Sequence, residues 1–143
     1  MAKLAKEKFL VLMVDDTEDD CLQLRITLGK SDRMRFIGSV SDGEELLWYM
    51  KGEGKYVDRD KYPLPDRLLL DLALPQKEGF EVLEWLRSQP FDDLVVVVLS
   101  GSEKVQDVNK ALSLGADQFQ PKSGSAFTRQ NLVRLLEEYL SHK

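Results

Sequence analysis

Apolar runs and polar interruptions alternate along this chain with a regularity that defines its elements. Phe9 to Val14 is an unbroken apolar run that meets acidic residues at once, the pattern of a strand covered on both faces and ending at Asp15. Glu18, Asp19 and Asp20 then open a segment in which Cys21, Leu24 and Leu28 recur at helical spacing. Negative charge at a helix start is favoured by the helix dipole, so a helix is predicted here, ending near Gly29. Met34 to Val40 reads as a second strand, and Ser41-Asp42-Gly43-Glu44 supplies cap chemistry ahead of Leu46, Leu47 and Met50. The polar stretch from Lys51 to Pro65 is predicted to be a surface loop.

The same alternation continues to the end of the chain. Arg67 to Asp71 is a short strand, with Pro75 and Gly79 punctuating the loop before Phe80, Leu83 and Leu86 form a helical stripe. Leu94 to Leu99, with four consecutive valines, is a strand running into Ser100-Gly101-Ser102. Val105, Val108, Ala111 and Leu112 mark a further helix, Asp117 to Gln120 a short last strand, and Leu132, Leu135, Leu136, Tyr139 and Leu140 the apolar face of a final helix. Strand and helix alternate throughout, which predicts an α/β fold with a parallel sheet doubly wound by helices on both faces.

Composition narrows what such a domain can do. At 143 residues the chain fits one domain spanning 1–143, with a core of ordinary size. No apolar run approaches the ~18 residues needed to cross a bilayer, and the basic start leads into no cleavage site, so neither a membrane role nor export is expected. The single cysteine, Cys21, cannot form an internal disulfide and suits a reducing cytoplasm, with helix packing as its expected role. A net charge of -5 argues against nucleic acid as a partner, because phosphate backbones demand a basic footprint. Trp48 and Trp85 are expected to pack on helix faces.

In open parallel sheets, ligands bind beyond the carboxyl ends of the strands. The residues falling there are Asp15, Asp16, Asp71, Ser100 and Lys122: three carboxylates, a hydroxyl and an amine. Unit charges ~4 Å apart repel by roughly 4 kcal/mol at an effective dielectric near 20, so clustered carboxylates call for a cation among them. Hard oxygen ligands suit Mg2+, and a metal beside a carboxylate makes phosphoryl transfer onto it plausible. Each residue alone has a plainer use. Asp15 and Asp16 could cap a helix, Asp71 could serve a turn, Ser100 could be a cap and Lys122 a solvated charge. It is their joint occurrence at four strand ends that points to chemistry.

Over nearly its whole length the sequence resembles the receiver domains of two-component response regulators. The resemblance rests on the pair Asp15-Asp16 after the first strand, and on Asp71 followed by Pro75 and Gly79. Ser100 after the fourth strand and Lys122 after the fifth complete it. It implies a flavodoxin-like sheet of five strands in the order 2-1-3-4-5. It further implies that Asp71 is the phosphoacceptor, that Asp16 ligates Mg2+ directly and Asp15 through water, and that the backbone carbonyl of Ala73 is another ligand. Phosphorylation adds about -1.5 to -2 charge, toward which Ser100 and Lys122 would be drawn. Phe119 occupies the position of an aromatic that turns inward as the serine moves. The implied partners are a sensor histidine kinase or phosphotransfer protein and a downstream protein. The implied readout face is the helix of Val105 to Leu112, the last strand and the final helix, through which a homodimer could also form.

Two features modify the picture. Pro121 precedes Lys122 and Ser123 follows it, where the family usually has lysine then proline. The insert Lys51 to Pro65 resembles that of stand-alone regulators paired with phytochrome-type kinases. Other functions remain to be weighed: a receiver-like interaction module that works without phosphate, a flavin-binding relative of the fold, and an aspartate-based phosphatase. The acidic run Asp15 to Asp20 would repel a flavin phosphate. Ala73 stands where the phosphatases usually carry a second aspartate, so a switch that phosphorylates itself and dephosphorylates slowly is expected, not an enzyme acting on an outside substrate.

Overall fold

In the computed structural model, the residues described are 9–14, 25–31, 33–71, 76–91, 93–100, 105–121 and 134. Within them the chain runs β1 (Phe9–Val14), α1 (residues 25–28), β2 (Met34–Val40), α2 (Gly43–Lys51), a 3-10 turn (Gly54–Val57), β3 (Arg67–Asp71), α3 (Gln76–Ser88), β4 (Val95–Ser100), α4 (Val105–Ser113) and β5 (Gln118–Pro121). The strands form one five-stranded sheet in the order β2-β1-β3-β4-β5, every pair parallel. This is the 2-1-3-4-5 order that the resemblance implied.

The unbroken apolar runs are explained by burial on both faces. Along β1, Leu12 and Val14 join Leu68, Leu70, Val96 and Val98 in a core that also holds residues of α2, α3 and α4. Val11 and Met13 point the other way, with Leu69, Val95, Val97 and Leu99, against Leu28 and Met34. A strand's period of two splits each run between the two cores. Opposite the step from Val11 to Leu12 the register slips, pairing Phe36 and then Gly38 and leaving Ile37 over as a bulge. Gly38 sits at φ 148, a conformation that a side chain would strain.

Helix α2 carries the caps read from its sequence. The Asp42 side chain accepts from the Glu45 N–H at 2.8 Å, and Glu45 Oε1 reaches back to accept from the Ser41 N–H at 2.7 Å. Gly52 closes the helix in the left-handed conformation, φ 71, where glycine has no steric penalty.

The structure corrects several local expectations. Gly79 lies inside α3, which begins at Gln76, and does not punctuate a loop. Burial of Phe80, Val82, Leu83 and Leu86 outweighs the roughly 1 kcal/mol that an interior glycine costs. Strands β4 and β5 are each shifted by one residue toward the carboxyl end. Leu112 is 43% exposed and Trp48 49% exposed, because Ala111 and the Leu46–Tyr49–Met50 stripe already fill the core faces of their helices.

The largest correction concerns Lys51 to Pro65. This stretch is a packed unit built on α2 and not a bare loop. Tyr56 is buried, and the Tyr49, Tyr56 and Tyr62 rings meet at centroid distances of 4.8, 5.0 and 6.1 Å. Tyr56 donates its hydroxyl to Glu45 Oε2 at 2.6 Å, and Tyr49 donates to the Pro63 carbonyl at 2.8 Å. Arg59 donates to the carbonyls of Tyr49, Met50 and Tyr62 at 2.8, 2.9 and 3.1 Å. Polar letters conceal this because each of these side chains buries a ring or stem while its polar tip finds a partner.

Candidate functional site

In this sheet the strand order reverses between β1 and β3, so a crevice is expected beyond their carboxyl ends. Val14, the last residue of β1, pairs with Leu70. Asp71 follows Leu70 as the last residue of β3 and pairs on its other side with Leu99 of β4. Ser100 ends β4 and pairs with Pro121, the last residue of β5. Asp71 and Ser100 therefore close adjacent central strands, one register step apart, at one end of the sheet. Asp15, Asp16, Ala73 and Lys122 lie outside the described residues, as do Cys21, Pro75 and all of the final helix but residue 134. Val14 immediately precedes Asp15, and Pro121 immediately precedes Lys122.

Behind this rim the sheet is apolar and closed. Leu68, Leu70, Val96, Val97 and Val98 have no exposed surface, so a group at the strand ends rests on a rigid support. Phe119 pairs with Val98 and is only 9% exposed, its ring inside the core shared by α2, α3 and α4. In this structure the aromatic is turned inward.

The opposite end of the sheet holds polar features that sequence reading did not single out. Asp66, just before β3, accepts from the Leu10 N–H at 2.8 Å, and its own N–H donates to the Leu10 carbonyl at 2.8 Å. Arg67 is 1% exposed, its guanidinium 4.6 Å from the Phe9 ring centroid. Nη1 donates to the Asp66 carbonyl at 3.0 Å, while Nε and Nη2 have no hydrogen-bond partner among the described residues. Burial pushes the Arg67 guanidinium below its ordinary pKa, against the opposing pull of Asp66 and Asp117. Arg87 of α3 donates to the carbonyls of Gly115, Leu94 and Phe91 at 2.8, 3.0 and 3.3 Å, and to the Asp117 carboxylate at 2.8 Å. A lone arginine on a helix gives no sequence signal of such a role, because its partners come from two other loops.

This chain belongs to the response regulator receiver domain family, whose profile matches residues 11–137. The family serves two-component signal transduction, and its members are in general phosphorylated on an aspartate in a magnesium-dependent way. Among particular relatives, response regulator Rcp1 of Synechocystis sp. is 28% identical over 131 residues, which is 91% of this chain and 87% of Rcp1. The phosphorylated cyanobacterial phytochrome response regulator RcpA superposes with a TM-score of 0.79 at 31% identity, covering 96% of this chain and 97% of RcpA. The Mn(2+)-bound form of response regulator Rcp1 gives a TM-score of 0.72 at 27% identity, with coverage of 93% and 92%. The likeness to phytochrome-associated regulators read from the insert is met by these relatives.

Proposed function

We propose that this chain is a single receiver domain acting as a phosphorylation-dependent switch, with Asp71 as the phosphoacceptor. The observation that carries this reading is the position of Asp71 as the last residue of the central strand β3, at the switch point of a 2-1-3-4-5 sheet. The phosphorylated state of RcpA and the Mn(2+)-bound state of Rcp1 support it by likeness.

The donor set fits a hard divalent cation, since carboxylates and a backbone carbonyl are the oxygen ligands such an ion takes. Asp15, Asp16 and Asp71, with the Ala73 carbonyl, would hold Mg2+, which when bound shields the carboxylate from the incoming phosphoryl oxygens. A carboxylate oxygen of Asp71 forms the new bond to phosphorus as the donor's P–O or P–N bond breaks and the donor departs. Ser100 and Lys122 then bond the phosphoryl oxygens, each such charged bond being worth about 1.5–3 kcal/mol. The inward position that Phe119 already occupies is the one that goes with an engaged Ser100, and the change is read by a protein that contacts α4, β5 and the final helix, a face through which a homodimer could also form. The phosphoryl source is a sensor histidine kinase or phosphotransfer protein in the cytoplasm. The chain's own chemistry is limited to taking up the group and slowly losing it.

Intact mass after incubation with acetyl phosphate and Mg2+ tests the proposal. A gain of one phosphoryl group is expected, lost on chelation and absent from Asp71→Asn. Uptake that persists in Asp71→Asn would move the acceptor elsewhere. No uptake from either donor or kinase, joined to undetectable metal binding, would favour the phosphate-independent interaction module.

A further inference from the structure

Phe119 lies within β5 and pairs with Val98 of β4. Gln118 and Gln120 on either side are half-buried while Phe119 is 9% exposed, so the alternation of the strand turns the ring toward the core shared by α2, α3 and α4. The backbone leading into it is pinned. The Asp117 N–H donates to the Val96 carbonyl at 2.9 Å, the Asp117 carboxylate accepts from the Val96 N–H at 2.8 Å, and Arg87 donates to the same carboxylate at 2.8 Å. The Ala116 N–H donates to the Ala111 carbonyl at 3.0 Å and closes the turn after α4. With the backbone fixed in this way, only rotation of the side chain could carry the ring to solvent.

That rotation is opposed on two counts. Bringing a buried phenyl ring into water shifts the equilibrium against the exposed form by roughly tenfold to a hundredfold. The ring would also vacate a place in the core. Ala111 and Ala116, both buried members of that core, are too small to fill it, and an emptied place costs packing beyond the transfer itself. A tyrosine would recover part of the loss, because its hydroxyl bonds water outside. Phenylalanine has no polar atom that gains by leaving.

We propose that Phe119 is a fixed wedge in this chain and not a moving part: its ring is inward in the resting domain and stays inward when Asp71 is phosphorylated. The α4–β5 surface over the ring is then preformed, and a partner's preference for the phosphorylated form comes from Ser100 and Lys122 and not from the aromatic. The comparison of the two states rests on the phosphorylation reading above, whereas the place of the ring in the resting domain does not.

The test uses the full chain labelled with 4-fluorophenylalanine, which gives six fluorine resonances, one for each phenylalanine. That of Phe119 is assigned by its loss from Phe119→Tyr, a near-isosteric change. In the resting chain this resonance should move little between H2O and D2O, as a ring shielded from solvent does, with less than about a tenth of the population outward. After incubation with acetyl phosphate and Mg2+, in a sample whose intact mass shows uptake, the solvent effect should stay as small. A resting resonance with the solvent effect of the urea-unfolded chain would overturn the proposal, as would an exposed resting ring that becomes shielded on uptake. Absence of uptake would count against Asp71 as acceptor, and the resting spectrum would still decide where the ring sits.

Discussion

Arg87 and Asp117 stand 30 residues apart in the chain and are joined by a 2.8 Å ion pair. The same carboxylate oxygen of Asp117 accepts from the Val96 N–H at 2.8 Å. One guanidinium thereby ties the end of α3 to the turn before β4 and to the segment between α4 and β5. Gly115, whose carbonyl it also binds, sits at φ 111, and a Cβ there would run into Arg87 Cγ.

Arg87→Ala should lower stability by about 2–3 kcal/mol, because carbonyls of three residues and a half-buried carboxylate lose a charged donor. Gly115→Ala should also destabilise, through both its backbone angle and the collision. Urea unfolding of the two variants and their double mutant measures the coupling. The double mutant should cost less than the sum, since removing Arg87 clears the space; strict additivity would mean that the collision is relieved some other way.

Arg67 leads to a less obvious expectation. Two of its buried nitrogens lack hydrogen-bond partners among the described residues, so the charge is desolvated with little return. Arg67→Met should therefore fall within about 1 kcal/mol of the native chain, whereas Arg67→Ala should cost about 3 kcal/mol through the cavity it leaves. Thermal and urea unfolding compare the two. A large loss in the Met variant would reveal a partner for the charge beyond the described residues.

Glu45 and Tyr56 give the insert an acid limit. Burial alone would raise the Glu45 carboxyl. The hydrogen bonds from Tyr56 and the Ser41 N–H, with Lys55 nearby, nevertheless hold it below its ordinary value. The stability it lends is full above the unfolded carboxyl value of about 4.3 and is lost as pH falls through the lower folded value. Near-UV circular dichroism of the tyrosines should weaken in that acid range, and Glu45→Gln should remove the step.

Tyr49 sets an alkaline limit of opposite sign. Burial pushes its phenol up to about 12, with Arg59 pulling the other way and Tyr62 adding slightly. Its contribution is full below the unfolded value of about 10 and is lost as pH rises through the folded one. Absorbance at phenolate wavelengths should show late-titrating tyrosine in the native chain, and Tyr49→Phe should remove one late component while leaving that of Tyr56, which burial and its hydrogen bond to Glu45 push higher still. Ordinary titration of every tyrosine would contradict the packing described.

Much of the fold was legible because β1 and β4 are almost unbroken apolar runs, the pattern of two-sided burial, and the other strands are short stretches set off by polar and turn residues. Phe9 to Val14, Met34 to Val40 and Arg67 to Asp71 occur as expected. The cap at Asp42 was equally plain, since capping is local and its residue types are few. Periodicity failed where contacts are distant. Trp48 and Leu112 fit a helical stripe yet face solvent, and the partners of Tyr56, Arg59 and Arg87 lie in other segments. Of the site, Asp71 closes its strand as read from sequence, Ser100, read as following the fourth strand, is instead its last residue, and the assignment of roles at Asp15, Asp16, Ala73 and Lys122 rests on the resemblance.

Arg59 occupies a place that in most helices is left to water or to a glycine turn: it meets the last carbonyls of α2 with a positive charge. The helix thus takes its final fittings from residues eight or more positions downstream. Shortening this stretch to the length of a minimal connection would unfasten the end of α2 and unstack three rings with it. For anyone transplanting surface loops among receivers, the helix and the fifteen residues from Lys51 to Pro65 make one cassette, to be moved or kept together.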